Sequence, residues 1–405
     1  MKPLEGLKVV DMSQFVAAPT CGRILAEWGA DVIKIENIKG DPCRLNGTMT
    51  KIPIVADDEN PNFDSCNLCK RFISIDLKNP EGKAVMEKLL DTADVFIMSI
   101  RQPSAERLGL DWETVHKRWP RIVYVTSSGY GESGPMKDVG GYDYTAFGTR
   151  SGFIGSYGQA GGAPINFIPA VGDYTTALAL AMGTMAALMG REKTGEGDKV
   201  VASLYNAALY VLGAAVMGIE GGMEYPVSRT SLPAPTANSY MCSDGKWLQF
   251  CATPYNTYYG KLMNMIGRED MLDDPILSDH VKLLEAGRAA EVISILEEGI
   301  AQKTSDEWIE IFRKADIPCE KIVAIQDVAN DAQAWESNAI RAVTYPSGNK
   351  HTLVSIPVKL NSVGFPELEG KTGRRVGYHT REVLKEYGYT DADLDQLVEN
   401  KAIKD

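Results

Sequence analysis

The run Val171-Gly172-Asp173 places one carboxylate directly behind a glycine, with apolar neighbours and a long Ala-rich segment after it. A poorly hydrated carboxylate is a better nucleophile than one in water, and a glycine lets a ligand approach the backbone closely. The same residues also suit a purely structural role, because Asp is a favoured N-cap and Tyr174–Met189 has the pattern of a helix. This segment alone leaves both readings open.

Other motifs narrow the chemistry. Gly129-Tyr-Gly-Glu-Ser-Gly134 fits G-x-G-x-x-G after a strand-like run, but Pro135 and then Gly140-Gly141 follow where a dinucleotide site requires a helix to begin. It reads instead as a glycine loop over an active site. Cys66-Asn-Leu-Cys69 is a C-x-x-C with no second pair and no His at ligand spacing, so ordinary thiols are expected. The seven cysteines are scattered and odd in number, which suits a reducing compartment rather than a disulfide framework. The four histidines have no partner at i+3 or i+4, so no metal site is expected. Neither a G-x-S-x-G elbow nor a Walker A sequence occurs, which leaves carboxylate chemistry as the best candidate.

A net charge of −12 argues against sequence-independent binding of nucleic acid. An anionic ligand must then be held locally, by a few Arg side chains and helix N-termini. The start, Met1-Lys-Pro-Leu-Glu-Gly-Leu, carries no apolar signal region, so a cytoplasmic protein is expected. Ala177–Leu188 and Ala207–Ile219 are apolar but shorter than the ~18–20 residues that a membrane span requires. Buried or subunit-interface helices explain them better.

These residues need a scaffold, and 405 residues are long for one core. The first half alternates strand and helix: strands at Leu7–Met12, Asp31–Glu36, Arg71–Leu77, Asp94–Ile100 and Arg121–Thr126, with helices at Thr20–Trp28, Pro80–Thr92 and Trp112–Arg118. Such alternation with Val/Ile-rich strands implies an α/β fold with a parallel sheet covered on both faces. A Pro-rich stretch, Tyr225–Ser239, reads as a linker. Beyond it lie a hairpin around Ser243-Asp-Gly245 and helical patterns over Tyr255–Lys314, expected to form a smaller α+β domain. The tail returns to strand signals, with a hairpin around Pro346–Asn349 and helices at Thr380–Tyr387 and Asp391–Asn400. The expected division is 1–224, 225–325 and 326–405.

Several stretches, in order along essentially the whole chain, resemble the family III coenzyme A transferases. They are Leu4–Asp11, Ala26–Glu36, Lys70-Arg71 with Ile73–Lys78, Gly141-Tyr-Asp143, Val171-Gly-Asp173 and Arg191–Gly197. The resemblance implies a Rossmann-like large domain built from both chain ends, a smaller inserted domain, and an interlocked homodimer. It places Asp173 on the catalytic aspartate. Such a carboxylate attacks an acyl-CoA thioester to give an aspartyl anhydride and CoA thiolate. The thiolate then attacks the anhydride, leaving an aspartyl-CoA thioester and free acid, and an acceptor acid reverses the steps. Thioester is exchanged for thioester, so no cofactor beyond the CoA thioester co-substrate, no ATP and no metal is implied. Backbone N–H groups of a glycine loop suit the oxyanion.

By the same resemblance the CoA contacts fall on Val16, Ala17, Asn37, Ile75, Ser99, Ile100, Arg101, Arg107, Gly140, Gly141 and Tyr142. The two arginines are natural phosphate partners. Asn37 and Gly140 depart from the Arg and Lys often found there. The superfamily's α-methylacyl-CoA racemases carry a His where this chain has Tyr142, and a tyrosine is a poor base at neutral pH. That favours transfer over a racemase, and the retained Val-Gly-Asp favours it over a non-catalytic acyl-CoA binder. Gly141–Phe147, Ser203–Tyr210, Pro254–Tyr259 and Met265–Asp270 look most like the branch acting on (R)-2-hydroxy acids such as phenyllactate or 2-hydroxyisocaproate, with an enoyl-CoA donor, as in amino-acid fermentation. Phe147, Tyr255, Tyr258 and Tyr259 are candidates for an apolar acyl pocket, against the ordinary role of aromatics in packing.

Overall fold

The computed structural model describes residues 2–46, 51–52 and 54–405. Mostly apolar strands build one large sheet: β1 (Lys8–Met12), β2 (Asp31–Glu36), β3 (Arg71–Ile75), β4 (Val95–Met98), β5 (Val123–Ser128) and β6 (Lys199–Ser203). Three small strands in the middle of the chain, β7 (Ser239–Met241), β8 (Trp247–Phe250) and β9 (Cys319–Lys321), form a separate sheet, and β10 (Ile340–Thr344) and β11 (Lys350–Val354) form a hairpin. The last strand, β12 (Ile403–Lys404), closes the large sheet, whose order is β12-β3-β2-β1-β4-β5-β6. Strands β1 to β6 are parallel and β12 runs antiparallel on β3. The chain winds outward from β1 to β3, returns to β4 beside β1, and winds outward again to β6. The topological switch therefore falls between β1 and β4, where α/β sheets of this order hold ligands beyond the carboxyl ends of the strands.

Helices cover both faces. One core holds Val85, Leu89, Phe96 and Tyr124 and takes in Val383, Leu384, Leu394 and Leu397 from the chain's end. The other holds Ile24, Leu25, Val32 and Ile97 with Leu180 and Leu188. The Ala17–Glu27 helix is buried on all sides, between the sheet and the helix Val171–Thr194. The latter runs for 24 residues and buries Gly172, Thr176, Ala177, Leu180, Ala181, Thr184 and Leu188. Recurrence every three or four residues marks a single helical stripe. Gly195, in the left-handed region at φ 80°, ends the helix. The expected helix over Ala207–Ile219 is two helices, Leu204–Val211 and Gly213–Glu220, with the break at Leu212 ahead of Gly213.

The chain divides into two compact units. The larger comprises residues 1–153, 167–218 and 332–405, and the other residues 154–166 and 219–331. In the second unit, Tyr240, Leu248, Phe250, Tyr259, Trp308 and Phe312 pack with the helices Tyr255–Met265, Ala289–Ile300 and Ser305–Lys314. Among the described residues no helix is long and apolar enough to cross a membrane.

Candidate active site

Asp173 lies in the first turn of the Val171–Thr194 helix. It is not the N-cap: that position belongs to Ala170, held at φ 69°. A non-glycine residue there is strained, and such strain persists only where the surroundings fix it. Asp143 supplies the fixing. Its carboxylate accepts from Ala170 N at 2.7 Å and from Gly172 N at 2.8 Å, and the Asp173 N–H donates to it as well. The first N–H groups of a helix have no partner within it, so a carboxylate from elsewhere in the chain completes the cap. The reading of Asp173 as a simple cap is thus corrected: another aspartate caps, which leaves the Asp173 carboxylate available.

Gly172 is required by space rather than by its dihedral angle. A Cβ there would lie 2.2 Å from Phe147 Cγ and 2.5 Å from Asp143 Oδ1. Phe147 and Asp143 both belong to Asp143–Arg150, a stretch wound as a π-helix, a form found mostly as short insertions at functional sites. Burial pushes the Asp173 carboxyl up to about 7, with Asp143 and then Cys66 adding negative charge nearby. Burial likewise raises Asp143, against the backbone donors of Ala170, Gly172 and Asp173. Two carboxyls held at one helix start, one of them hydrogen-bonded by three N–H groups and the other not, have different roles open to them.

At the switch point, the turn after β1 carries Phe15 at φ 65°, Val16 and Ala17. A buried chain of charges holds this turn. Asp11 takes Ser13 N at 3.0 Å and pairs with Lys70 at 2.8 Å, and Lys70 also donates to Pro19 O and Asn67 Oδ1. Lys34 pairs with Asp41 at 3.0 Å and donates to Ser13 O, while Asp41 Oδ1 accepts from Phe15 N and Cys43 N. Burial works against ionisation of Lys34, but Asp41 and Asp11 outweigh it and raise its pKa. Burial would raise Asp11, but Lys70 and Lys34 bring it down.

Ser99, Ile100 and Arg101 follow β4, and Ser99 Oγ accepts from Gln14 N at 2.9 Å across the switch. Gly140, Gly141 and Tyr142 end the loop after β5. The Tyr142 ring meets Phe15 edge-on at 5.7 Å, so the turns after β1, β4 and β5 converge. Tyr142 precedes Asp143, which links this group to Asp173. Arg101 and Arg107 are exposed, and Arg107 donates to Ser104 Oγ at 2.8 Å; neither has an acidic partner among the described residues. Asn37, just past β2, spends its amide within its own turn on Lys39 N and Gly40 O. Ile75 ends β3 with its side chain in the core, so only its backbone faces that edge.

The C-x-x-C is not a bonded pair: both thiols are free, Cys66 Sγ lies 3.3 Å from Ser65 Oγ, and Cys69 sits past the helix end at φ 67°. Tyr255 and Tyr259 are core residues of the second unit, their hydroxyls donating to Leu277 O and Met271 O. Phe147 instead lies beside Gly172, in contact with Phe153 and Phe167, and Tyr144 joins them through Phe167. Asp143, absent from the expected site residues, has no local signal because its partners lie 27 and 29 residues away.

A parallel sheet with its switch point between β1 and β4 and a carboxylate at an adjoining helix start define the class, and comparison with known proteins gives the family. The profile of CoA-transferase family III matches residues 4–369, and the chain belongs to that family. Curated relatives include an (R)-2-hydroxy-4-methylpentanoate CoA-transferase of Clostridioides difficile, 37% identical over 99% of both chains. A cinnamoyl-CoA:phenyllactate CoA-transferase of Clostridium sporogenes is 38% identical over 98% of this chain and 96% of its own. Formyl-CoA:oxalate CoA-transferase of Escherichia coli is 27% identical over 99% of both. A CAIB/BAIF family protein from Brucella suis has the same fold, with a TM-score of 0.78 at 26% identity over 95% of this chain and 99% of its own.

Proposed function

We propose that this enzyme moves CoA from an acyl-CoA to an (R)-2-hydroxy acid with an apolar side chain, with Asp173 as the nucleophile that carries first the acyl group and then CoA. The observation that carries the reading is the Asp143 cap. It takes the helix-start N–H donors, leaving Asp173 a half-buried carboxylate with no hydrogen-bond or ion-pair partner among the described residues. A carboxylate so placed is nucleophilic once ionised. The turns after β1, β4 and β5 would hold the CoA, with Val16, Ala17, Ser99, Ile100, Gly140, Gly141 and Tyr142 around it and Arg101 and Arg107 for its phosphates; Asn37 and Ile75 contribute at most through the backbone or a rearranged turn.

The names of the two relatives near 37–38% identity support a 2-hydroxy acid acceptor, and the cinnamoyl-CoA in the second supports an enoyl-CoA donor. The aromatic group of Tyr144, Phe147, Phe153 and Phe167 beside Gly172 supports an apolar acyl side chain. A homodimer is part of the proposal: Leu178, Met182 and Met189 on the long helix and Tyr210 and Met217 beyond it are exposed apolar side chains of the kind that subunit contacts cover. The deciding experiment supplies one acyl-CoA and a panel of free acids, with products read by mass spectrometry. Transfer to (R)-2-hydroxy acids without ATP, together with a CoA adduct on Asp173 from donor alone, is expected. Solvent deuterium entering C2 of an acyl-CoA without transfer would overturn the reaction class, and a preference for oxalate would overturn the acceptor.

A further inference from the structure

The turn after β1 carries a large side chain where its backbone favours none. Phe15 lies in the left-handed region at φ 65°, which glycine adopts at no steric cost and a bulky residue only under constraint. Buried charge supplies the constraint. Phe15 N donates to Asp41 Oδ1 at 3.2 Å, Cys43 N donates to the same oxygen at 2.9 Å, and the buried Lys34 pairs with Asp41 at 3.0 Å. From the residue before, Gln14 N donates to Ser99 Oγ at 2.9 Å. The backbone of the turn is therefore fixed from two sides.

So held, the half-buried Phe15 ring meets the Tyr142 ring edge-on, with centroids 5.7 Å apart and planes at 80°. Tyr142 is 63% exposed, and among the described residues Phe15 is the one ring it meets. Tyr142 is also where the next helix starts. Its carbonyl accepts from Thr145 N at 3.1 Å and Ala146 N at 2.8 Å, and its N–H donates to Thr145 Oγ1 at 3.0 Å. Asp143 follows directly, with its carboxylate on Ala170 N and Gly172 N.

We propose that Phe15 is a positioning residue for CoA transfer: by holding the Tyr142 ring it fixes the start of the Asp143–Arg150 helix and, through the Asp143 cap, the placement of the Asp173 carboxylate. This role rests on the proposed function, in which Asp173 is the nucleophile. The contacts run without a gap from the Lys34–Asp41 pair through Phe15, Tyr142 and Asp143 to the helix start. Strain that the surroundings impose and maintain is the kind found where geometry matters for function. Glycine at this turn would relieve the strain and lose the ring, so the two roles of Phe15, filling space and aiming Tyr142, come apart on substitution.

The test measures kcat, the donor KM, the rate of adduct formation on Asp173 from donor alone, and unfolding in denaturant. The variants are Phe15→Gly, Phe15→Leu, Phe15→Tyr, Tyr142→Leu and the Phe15→Gly/Tyr142→Leu pair. Phe15→Gly should lower kcat and the adduct rate by about 10²-fold, the scale of an ångström's misplacement, with the donor KM little changed. Phe15→Leu, which keeps the bulk without the ring edge, should do the same, so the outcome does not depend on whether the glycine variant folds. Phe15→Tyr should retain kcat. In the Tyr142→Leu background, Phe15→Gly should cost no further kcat, because the two residues act as one unit. A raised donor KM with unchanged kcat makes the ring a wall of the donor site and overturns the role. Lower stability with unchanged kcat reduces it to packing and overturns it too, and an equal further loss in the Tyr142→Leu background overturns the route through Tyr142. A parent that moves no CoA sinks the proposed function and this role with it, whereas a parent that does so beside an unimpaired Phe15→Gly sinks the role alone.

Discussion

Two helix starts in this molecule follow opposite rules. The Ser305–Lys314 helix of the second unit is locally complete. Thr304 Oγ1 accepts from Glu307 N, Glu307 returns a bond to Thr304 N, and Trp308, Ile309 and Phe312 face the core. Everything that starts it lies within four residues, as in a capping box. The Val171–Thr194 helix has a left-handed alanine at its N-cap, a glycine with no room for a Cβ, and a cap drawn from Asp143. Local and global preferences agree in the first case and conflict in the second, and conflicts of that kind mark sites held for function. Substitutions at the two starts should therefore separate stability from activity.

The largest effect is expected at Asp173. Asp173→Asn should lower transfer by at least ~10³-fold, the scale of losing a covalent nucleophile, with the fold no less stable than the parent's, because a neutral amide escapes the cost of a buried charge. An amide that still turned over would end the contrast, because the strained helix start would then serve no chemistry. Gly172→Ala comes next. Its Cβ would run into Phe147 and Asp143, so a loss of about 1–3 kcal/mol in denaturant unfolding is expected together with lost activity. Full activity in this variant would show that the space behind Asp173 is not in use.

Asp143→Asn sharpens the comparison through pH. Folding raises Asp173 from 3.8 to about 7, so its ionised form disfavours the fold: stability falls as pH rises through that window, while the carboxylate that the proposed reaction requires is gained. Removing the Asp143 charge should move the acid limb of kcat/KM to lower pH, and the NH2 group that replaces one accepting oxygen, leaving a backbone donor unpaired, should cost about 1–3 kcal/mol. An acid limb that stayed put or rose would contradict the electrostatic link. The smallest effect belongs to the ordinary start: Thr304→Ala should cost about 0.5–2 kcal/mol and leave kcat and KM unchanged at saturating donor.

The same contrast explains what the sequence could and could not say. The strand Asp31–Glu36 and the helix Trp112–Arg118 were readable to the residue, because alternation, apolar runs and caps are local signals. Asp173 was readable as a candidate from its glycine and its apolar setting, but its place in the helix was not, since the cap comes from Asp143, 27 and 29 positions before the two N–H groups, of Ala170 and Gly172, that it accepts from. The break at Leu212 had a signal in Gly213, overridden in the reading by a continuous apolar run. The strand Ile403–Lys404 is too short to show a period.

The glycines that bound the loop after β5 have a further consequence. Gly129 and Gly141 touch backbone to backbone, a Cβ on the first falling 2.6 Å from the Cα of the second. Residues 130–140 thus leave and re-enter the fold at one point, as an Ω-loop does, and most of them face solvent. A loop fastened at its root can be exchanged at its tip: doubling its length adds only about 0.6 kcal/mol of closure entropy. Selection, or a designer grafting tips from relatives onto this root, can thus vary the loop while the backbone that carries Asp143 stays as it is.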